Sequence, residues 1–279
     1  MRIFLFLLFV ISSAGISVLA QGPPSPPDGS KKNSISKKKI TLDDLWKKGT
    51  FSEKSVHGLR SMKDGIHYTT MESDNGQSYI IQYRYETGKA VDTLFRSNWF
   101  IDSKSGDTLD LDDYQFSDDE NRILISTGAE PIYRHSTREH YYTWDRRSKK
   151  LTLLSAIGGE KQMLATFSPT GSNVGFVREN NLFVKNVESG VETQITIDGK
   201  FNNIINGSTD WVYEEEFGFD KAFFWSPDAE KIAFYRFDES KVREFTMTKY
   251  GELYPVEYKF KYPKAGEENS KVSIHIYNV

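Results

Sequence analysis

A turn-and-strand phrase that occurs three times, hairpins closed by polar turns and an aromatic content of 14% predict an all-β fold, a partial β-propeller. The phrase is an aromatic residue, Ser, then Asp or Pro, a polar turn and a short apolar strand. It begins at Phe116-Ser117-Asp118, Phe167-Ser168-Pro169 and Trp225-Ser226-Pro227. The strands that follow are Ile123-Leu124-Ile125, Val174-Gly175-Phe176-Val177 and Ile232-Ala233-Phe234-Tyr235, each starting seven residues after its aromatic. The phrases lie 51 and 58 residues apart, somewhat longer than the blade of the commonest propellers. Blades of this kind bury one another's faces, which suits 15 Tyr, 19 Phe and 5 Trp in a chain of 279 residues.

Composition also excludes several classes of function. Lys and Arg number 36 against 39 Asp and Glu, and the net charge of -3 leaves no basic surplus for a nucleic-acid backbone. There is no cysteine, which removes disulfides, thiolate nucleophiles and Cys-ligated zinc. No cofactor and no metal site is expected.

The elements follow in order. Arg2 and the apolar run at 3–11, ending in Val18-Leu19-Ala20, read as a signal peptide over residues 1–20, cleaved after Ala20. Ser12, Ser13, Gly15 and Ser17 dilute the apolar character, so export is preferred to an uncleaved membrane anchor. Residues 21–39, with four prolines and a lysine-rich end, are a linker. A short helix is expected over 41–48, with Thr41 as its cap and Asp44 three residues on. Residues 40–279 are assigned to the propeller. Its hairpins are expected at 79–95, 141–154 and 182–196, turning at Glu86-Thr87-Gly88, Arg147-Ser148-Lys149 and Glu188-Ser189-Gly190. A last strand is expected at 272–277.

The register exposes two insertions. Strand start to hairpin turn is 15 residues from Val174 to Ser189 but 25 from Ile123 to Ser148, so about ten extra residues lie at 128–140. The hairpin turn precedes the next aromatic by 19 residues between Ser148 and Phe167, but by 36 between Ser189 and Trp225, placing a second excess at 201–223. Loops on a rigid frame are where binding groups are usually mounted.

The second insertion carries Asp210-Trp211-Val212-Tyr213-Glu214-Glu215-Glu216-Phe217-Gly218. Three successive carboxylates fit one short helical turn closed by Gly218, on which two can converge. A pair of convergent carboxylates suits a primary ammonium, which has three donors and no acceptor. The alternative is an exposed acidic run, against which the flanking Trp211, Tyr213 and Phe217 argue. The first insertion carries Tyr133-Arg134-His135, whose arginine is a planar multi-donor fork for a carbonyl or carboxylate. Taken alone, that is a surface arginine.

Together with Arg134-His135-Ser136, Trp225-Ser226-Pro227 and Tyr262-Pro263-Lys264-Ala265-Gly266, the acidic motif resembles the dipeptidyl peptidase IV family of prolyl-oligopeptidase-type serine exopeptidases. The resemblance runs from about Thr41 to the last residue. It implies about half of an eight-bladed propeller, which in that family covers an α/β-hydrolase domain. It also implies removal of Xaa-Pro or Xaa-Ala dipeptides from peptides with a free amino terminus, in an exported protein that is periplasmic, cell-surface or secreted, with room for a homodimer. By position, Glu215 and Glu216 match the pair that holds the substrate ammonium, and Arg134 the arginine on the first peptide carbonyl. Glu214 matches the leading acid of the motif, a structural residue.

The hydrolase domain is expected to be absent from these residues. Gly171-Ser172-Asn173-Val174-Gly175 sets its serine one place too early for a Gly-x-Ser-x-Gly elbow. His57, His67, His135, His140 and His275 have no serine and acid in a matching context. No catalytic residue is therefore expected here, and the chain alone is expected to be inactive. A non-catalytic exported propeller binding protein and a propeller glycosidase remain as alternatives, although adjacent carboxylates beside an arginine fit a glycosidase poorly. Asn206-Gly207-Ser208 is a glycosylation sequon, with meaning only in a eukaryotic secretory host.

Overall fold

The computed structural model describes residues 39–53, 55–100, 108–155, 159–251 and 253–279. The signal peptide and nearly all of the linker lie outside the described residues. Among those described, no helix is long and apolar enough to cross a membrane. The first compact unit holds one helix, α1 (Leu42–Trp46). Thr41 Oγ1 accepts from the Asp44 amide at 3.2 Å and Asp44 Oδ2 accepts from the Thr41 amide at 3.0 Å, a reciprocal box that satisfies two otherwise unpaired donors.

The second unit begins at residue 55. It is built of antiparallel meanders, as the repeated phrase predicts. The first sheet joins β1 (Arg60–Ser61), β2 (His67–Asp74), β3 (Gln77–Arg84) and β4 (Ala90–Arg96) in sequence order. The second joins β5 (Asp113–Phe116), β6 (Arg122–Pro131), β7 (Thr137–Asp145) and β8 (Lys150–Leu153). The third joins β9 (Met163–Phe167), β10 (Asn173–Arg178), β11 (Asn181–Asn186) and β12 (Glu192–Gln194).

The fourth sheet departs from this plan. Its centre is β15 (Lys231–Asp238). One edge of β15 is shared by β13 (Ile204–Asn206) and β14 (Phe223–Trp225), and the other pairs over its whole length with β18 (Lys271–Asn278). Helix α2 (Trp211–Phe217) lies between β13 and β14 in the chain. A two-stranded ribbon, β16 (Glu244–Lys249) with β17 (Val256–Lys261), lies between β15 and β18. The sequence analysis left that stretch without an element.

The three phrases are one construction made three times. In each, the serine closes the turn between two paired antiparallel strands: β5 and β6, β9 and β10, or β14 and β15. Ser117, Ser168 and Ser226 each offer Oγ to the backbone amide five residues on, at 2.9, 3.1 and 2.9 Å. The serine amide donates in return to the carbonyl of that residue, Arg122, Asn173 or Lys231. The residue three past the serine takes positive φ each time, at Glu120, Gly171 and Ala229.

Period-two alternation then places successive strand residues on opposite faces, each face packing on a neighbouring sheet. Ile123 and Ile125 join Ile80, Leu94 and Phe95 of the first sheet, while Leu124 joins Phe167, Val174 and Phe176 of the third. Val177, Leu182 and Val184 pack on Phe223, Ile232 and Phe234 of the fourth. Gly175 makes room for this last contact, since a Cβ there would sit 2.9 Å from the Phe223 ring. Sheets stacked through apolar faces in this way make a partial β-propeller.

Replacing Ser168 by Ala leaves the half-buried Asn173 amide without its Oγ acceptor, and we expect a loss of about 1 kcal/mol. Chemical unfolding of the full-length protein measures it. A loss below about 0.5 kcal/mol would mean that the serine does not hold the turn.

Candidate functional site

The first insertion is a strand extension rather than the loop expected. β6 and β7 run on past the sheet as a two-stranded arm, offset by a bulge between Thr127 and Glu130, where Gly128 takes positive φ. Arg138 Nε and Lys161 Nζ both reach Glu130, each at 2.8 Å, which holds the base of the arm. At its tip the Ile132 amide donates to the Ser136 carbonyl at 2.9 Å, closing a short loop that carries Tyr133, Arg134 and His135.

The second insertion carries α2. Asp210 caps it in extended conformation, with Oδ1 accepting from the Tyr213 amide at 3.0 Å. Ser270 Oγ donates to the other carboxylate oxygen at 2.5 Å. Gly218 ends the helix at φ 71, the left-handed turn that a glycine takes without cost. Aromatic rings fasten the helix to β15 through Tyr213 and Phe237, and to the stretch after β17 through Trp211 and Tyr262. Tyr213 meets Phe237 at 4.9 Å and Phe217 at 4.9 Å between ring centres, and Trp211 meets Tyr262 at 4.6 Å.

The three glutamates leave this anchored turn in different directions. Glu214 points inward and is 1% exposed. Its Oε1 accepts from the amides of His135 at 2.7 Å and Ser136 at 2.9 Å, so it binds the tip of the arm. Glu215 points to the other side of that tip, where Arg134 Nε donates to its Oε2 at 2.7 Å. The pair pushes the Arg134 guanidinium still higher than its ordinary value. Glu216 is exposed and makes no hydrogen bond or ion pair with any described residue. Of the residues named from sequence, Arg134 and Glu215 are thus in direct contact, with Glu216 beside them on the helix.

Three further readings concern residues outside this cluster. Ser172 lies in the turn before β10 with Oγ 2.7 Å from Thr170 Oγ1, and Gly175 lies within the strand, so that run has no nucleophile-elbow context. Asn206 of the sequon is fully buried, and its amide donates to the Asn180 carbonyl and to Asp198. The folded blade leaves no room for a glycan there. Glu239 was not singled out from sequence, yet it is buried close behind α2, along with Asp210. A carboxylate at the end of a strand gives no pattern that would have marked it.

Comparison with known proteins converges on one family. The description "Dipeptidyl peptidase IV (DPP IV) N-terminal region" matches residues 117–279, more than half of the chain. A putative dipeptidyl aminopeptidase of Schizosaccharomyces pombe is 32% identical over 98% of this chain and 33% of its own length. Human prolyl endopeptidase FAP is 30% identical over 91% of this chain and 31% of its own length. Among solved structures, Porphyromonas gingivalis dipeptidyl peptidase 4 is 44% identical with a TM-score of 0.74, over 86% of this chain and 34% of that one. The chain therefore spans about a third of the length of these relatives.

The Glu214 joint yields a prediction independent of any activity. Glu214→Ala removes a buried acceptor from two amides, and we expect a loss of about 2 to 3 kcal/mol with faster hydrogen exchange at residues 132–136. Exchange at those amides equal to that of the parent protein would contradict it.

Proposed function

The chain belongs to the dipeptidyl peptidase IV family, and on that premise we propose that its propeller residues are the amino-terminus-recognition and substrate-gating part of a serine dipeptidyl peptidase. In this reading the complete protein releases Xaa-Pro and Xaa-Ala dipeptides from peptides with a free amino terminus. The observation that carries it is the contact of Arg134 with Glu215 at the mouth of an anchored helix, with Glu216 exposed beside it. A peptide ammonium finds two carboxylates there, and the adjoining carbonyl finds the guanidinium fork.

The electrostatics support a site that exchanges partners. Arg134 is 69% exposed, so its ion pair with Glu215 is weakened by water and readily given up to a substrate. Glu215 is 15% exposed, and its attraction for a cation is screened less. Glu214 takes no part in binding, because its acceptor oxygen is committed to the arm.

The physical logic is that of a ruler. Holding the ammonium fixes the first residue, so the bond after the second falls at a set distance from a nucleophile supplied elsewhere in the protein. An internal peptide segment brings no cation to these carboxylates, which selects against cleavage within a chain. The substrates are thus peptides, and export to the periplasm, cell surface or medium is the setting in which they are met. A homodimer of the complete protein is part of this reading. The β16–β17 ribbon supports it, since Met247, Tyr250, Leu253, Tyr254 and Val256 are all exposed on one projecting element.

In the full-length enzyme, Glu215→Gln or Glu216→Gln is expected to lower kcat/KM for free-amine Xaa-Pro substrates by about tenfold or more, ~1.4 kcal/mol of transition-state stabilisation. Acetylating the substrate amine should do the same to the parent enzyme and add little in the variants. Unchanged kcat/KM in both variants would sink the assignment. Arg134→Lys, which keeps the charge and loses the fork, is expected to give a smaller but measurable loss.

A further inference from the structure

Behind α2 lies a cavity of about 80 Å3, whose walls include Ser136 of the arm tip, Asp210 and Glu214 of α2, and Glu239 one residue past β15. Asp210 and Glu239 are 5% exposed and Glu214 is 1% exposed, so three buried carboxyl side chains line one small cavity. Two of them are accounted for. Asp210 accepts from the Tyr213 amide and Ser270 Oγ, and Glu214 from the His135 and Ser136 amides. The surroundings of the Glu239 carboxyl act on it through burial and charge, with no hydrogen bond from a described residue, and Ser136 Oγ in the same cavity is buried without a partner.

An unpaired carboxylate in such a place is costly and must be neutralised by a cation or a proton. The charged and titratable groups around Glu239 are Asp210 and Glu214 of α2, Asp220 before β14, Lys261 at the end of β17, and the hydroxyls of Tyr133 and Tyr258. Lys261 is the cation among them; one of its three N–H donors goes to the Val242 carbonyl at 2.8 Å, and its charge reaches Glu239. Burial and the Asp210 charge, only partly offset by Lys261, push the Glu239 carboxyl up to about 7. Burial, Tyr258 and the same acids push Tyr133 upward, so it stays a neutral hydroxyl. No three acidic or histidine side chains among the described residues are placed to hold a metal ion.

We propose that Glu239 is a positioning residue for amino-terminus recognition: its carboxyl has to carry a proton for Asp210 to hold the first turn of α2, and with it Glu215 and Glu216, in place. This rests on the reading of α2 given above. In its acid form Glu239 is neutral beside the Asp210 carboxylate and adds an O–H donor to a cavity rich in acceptors. Once it ionises, two carboxylates oppose each other across a space with little water, and Asp210 is driven off the Tyr213 amide. The folded state holds this proton more tightly than the unfolded chain does. The stabilisation is therefore complete below the ordinary value of 4.5 and is lost as pH rises through about 7.

The test is the pH dependence of KM in the full-length enzyme with a chromogenic Xaa-Pro amide. The substrate amine itself loses its proton near pH 8. The readout is therefore the difference between the parent enzyme and Glu239→Gln, which keeps the shape and the neutral form. From about pH 6 to about pH 8 the parent KM is expected to rise about fivefold more than that of the variant, with kcat alike in both. Superimposable KM profiles would overturn the proposal, as would a variant whose KM is already raised at the acid end. Should Glu239→Gln fail to fold, hydrogen exchange in the parent protein replaces it. Protection of the amides at 211–217, corrected for intrinsic rates, is expected to fall through about pH 7, and constant protection would overturn the idea. Glu215→Gln run alongside separates the two claims. If it leaves KM unchanged, the reading of α2 fails; if it raises KM while Glu239→Gln follows the parent, only the role of Glu239 fails.

Discussion

A carboxylate taken out of water needs donors, and Glu214 finds them in two backbone amides that lie 78 and 79 residues earlier in the chain. Those amides belong to the tip of an arm grown from the second sheet, while Glu214 belongs to a helix inserted in the fourth. The bond therefore joins two decorations that are remote in sequence, and it fixes how Arg134 and Glu215 stand to one another. Because the acceptor is charged and buried, breaking the joint strands an ion as well as losing two hydrogen bonds. The relative placement of Arg134 and Glu215 rests on this contact together with their own ion pair.

The joint works because both of its halves are mounted on something stiff. The arm is a continuation of paired strands, pinned at its base by Glu130 to Arg138 and Lys161. The helix has only two turns and would not persist alone in water. It is held by the Asp210 cap at one end, Gly218 at the other and the Tyr213 and Trp211 rings beneath. Below both lie sheets packed face to face, in which each strand residue is committed to one neighbour or the other. Strain at the site is thus carried by packing that resists small shifts.

The same geometry concentrates negative charge. Asp210, Glu214 and Glu239 are buried behind α2, while Glu215 and Glu216 stand at or near its surface. Asp210 is satisfied by the Tyr213 amide and Ser270, and Glu214 by two amides of the arm, while burial and the Asp210 charge push the Glu239 carboxyl upward. One short acidic run thus sends one side chain into the scaffold and leaves two at or near the surface, according to which way each points.

Much of this could be read from the residues. The repeat of aromatic and serine marked the turns because the serine hydroxyl is itself the turn's hydrogen-bond acceptor, and the apolar alternation marked strands buried on both faces. The cap at Thr41, the helix closed by Gly218 and the register gaps at 128–140 and 201–223 were equally local, and so were legible. Glu215, Glu216 and Arg134 were named as candidates by motif. What the sequence could not supply were relations across distance. That the first insertion is a strand extension, and that a ribbon occupies 244–261, both depend on two segments pairing beyond the sheet that flanks them. That Glu214 meets the arm, that Arg134 meets Glu215 and that Glu239 is shut behind the helix were decided by tertiary structure alone, because burial and charge pairing are properties of what the fold brings together and leave no local pattern in the chain.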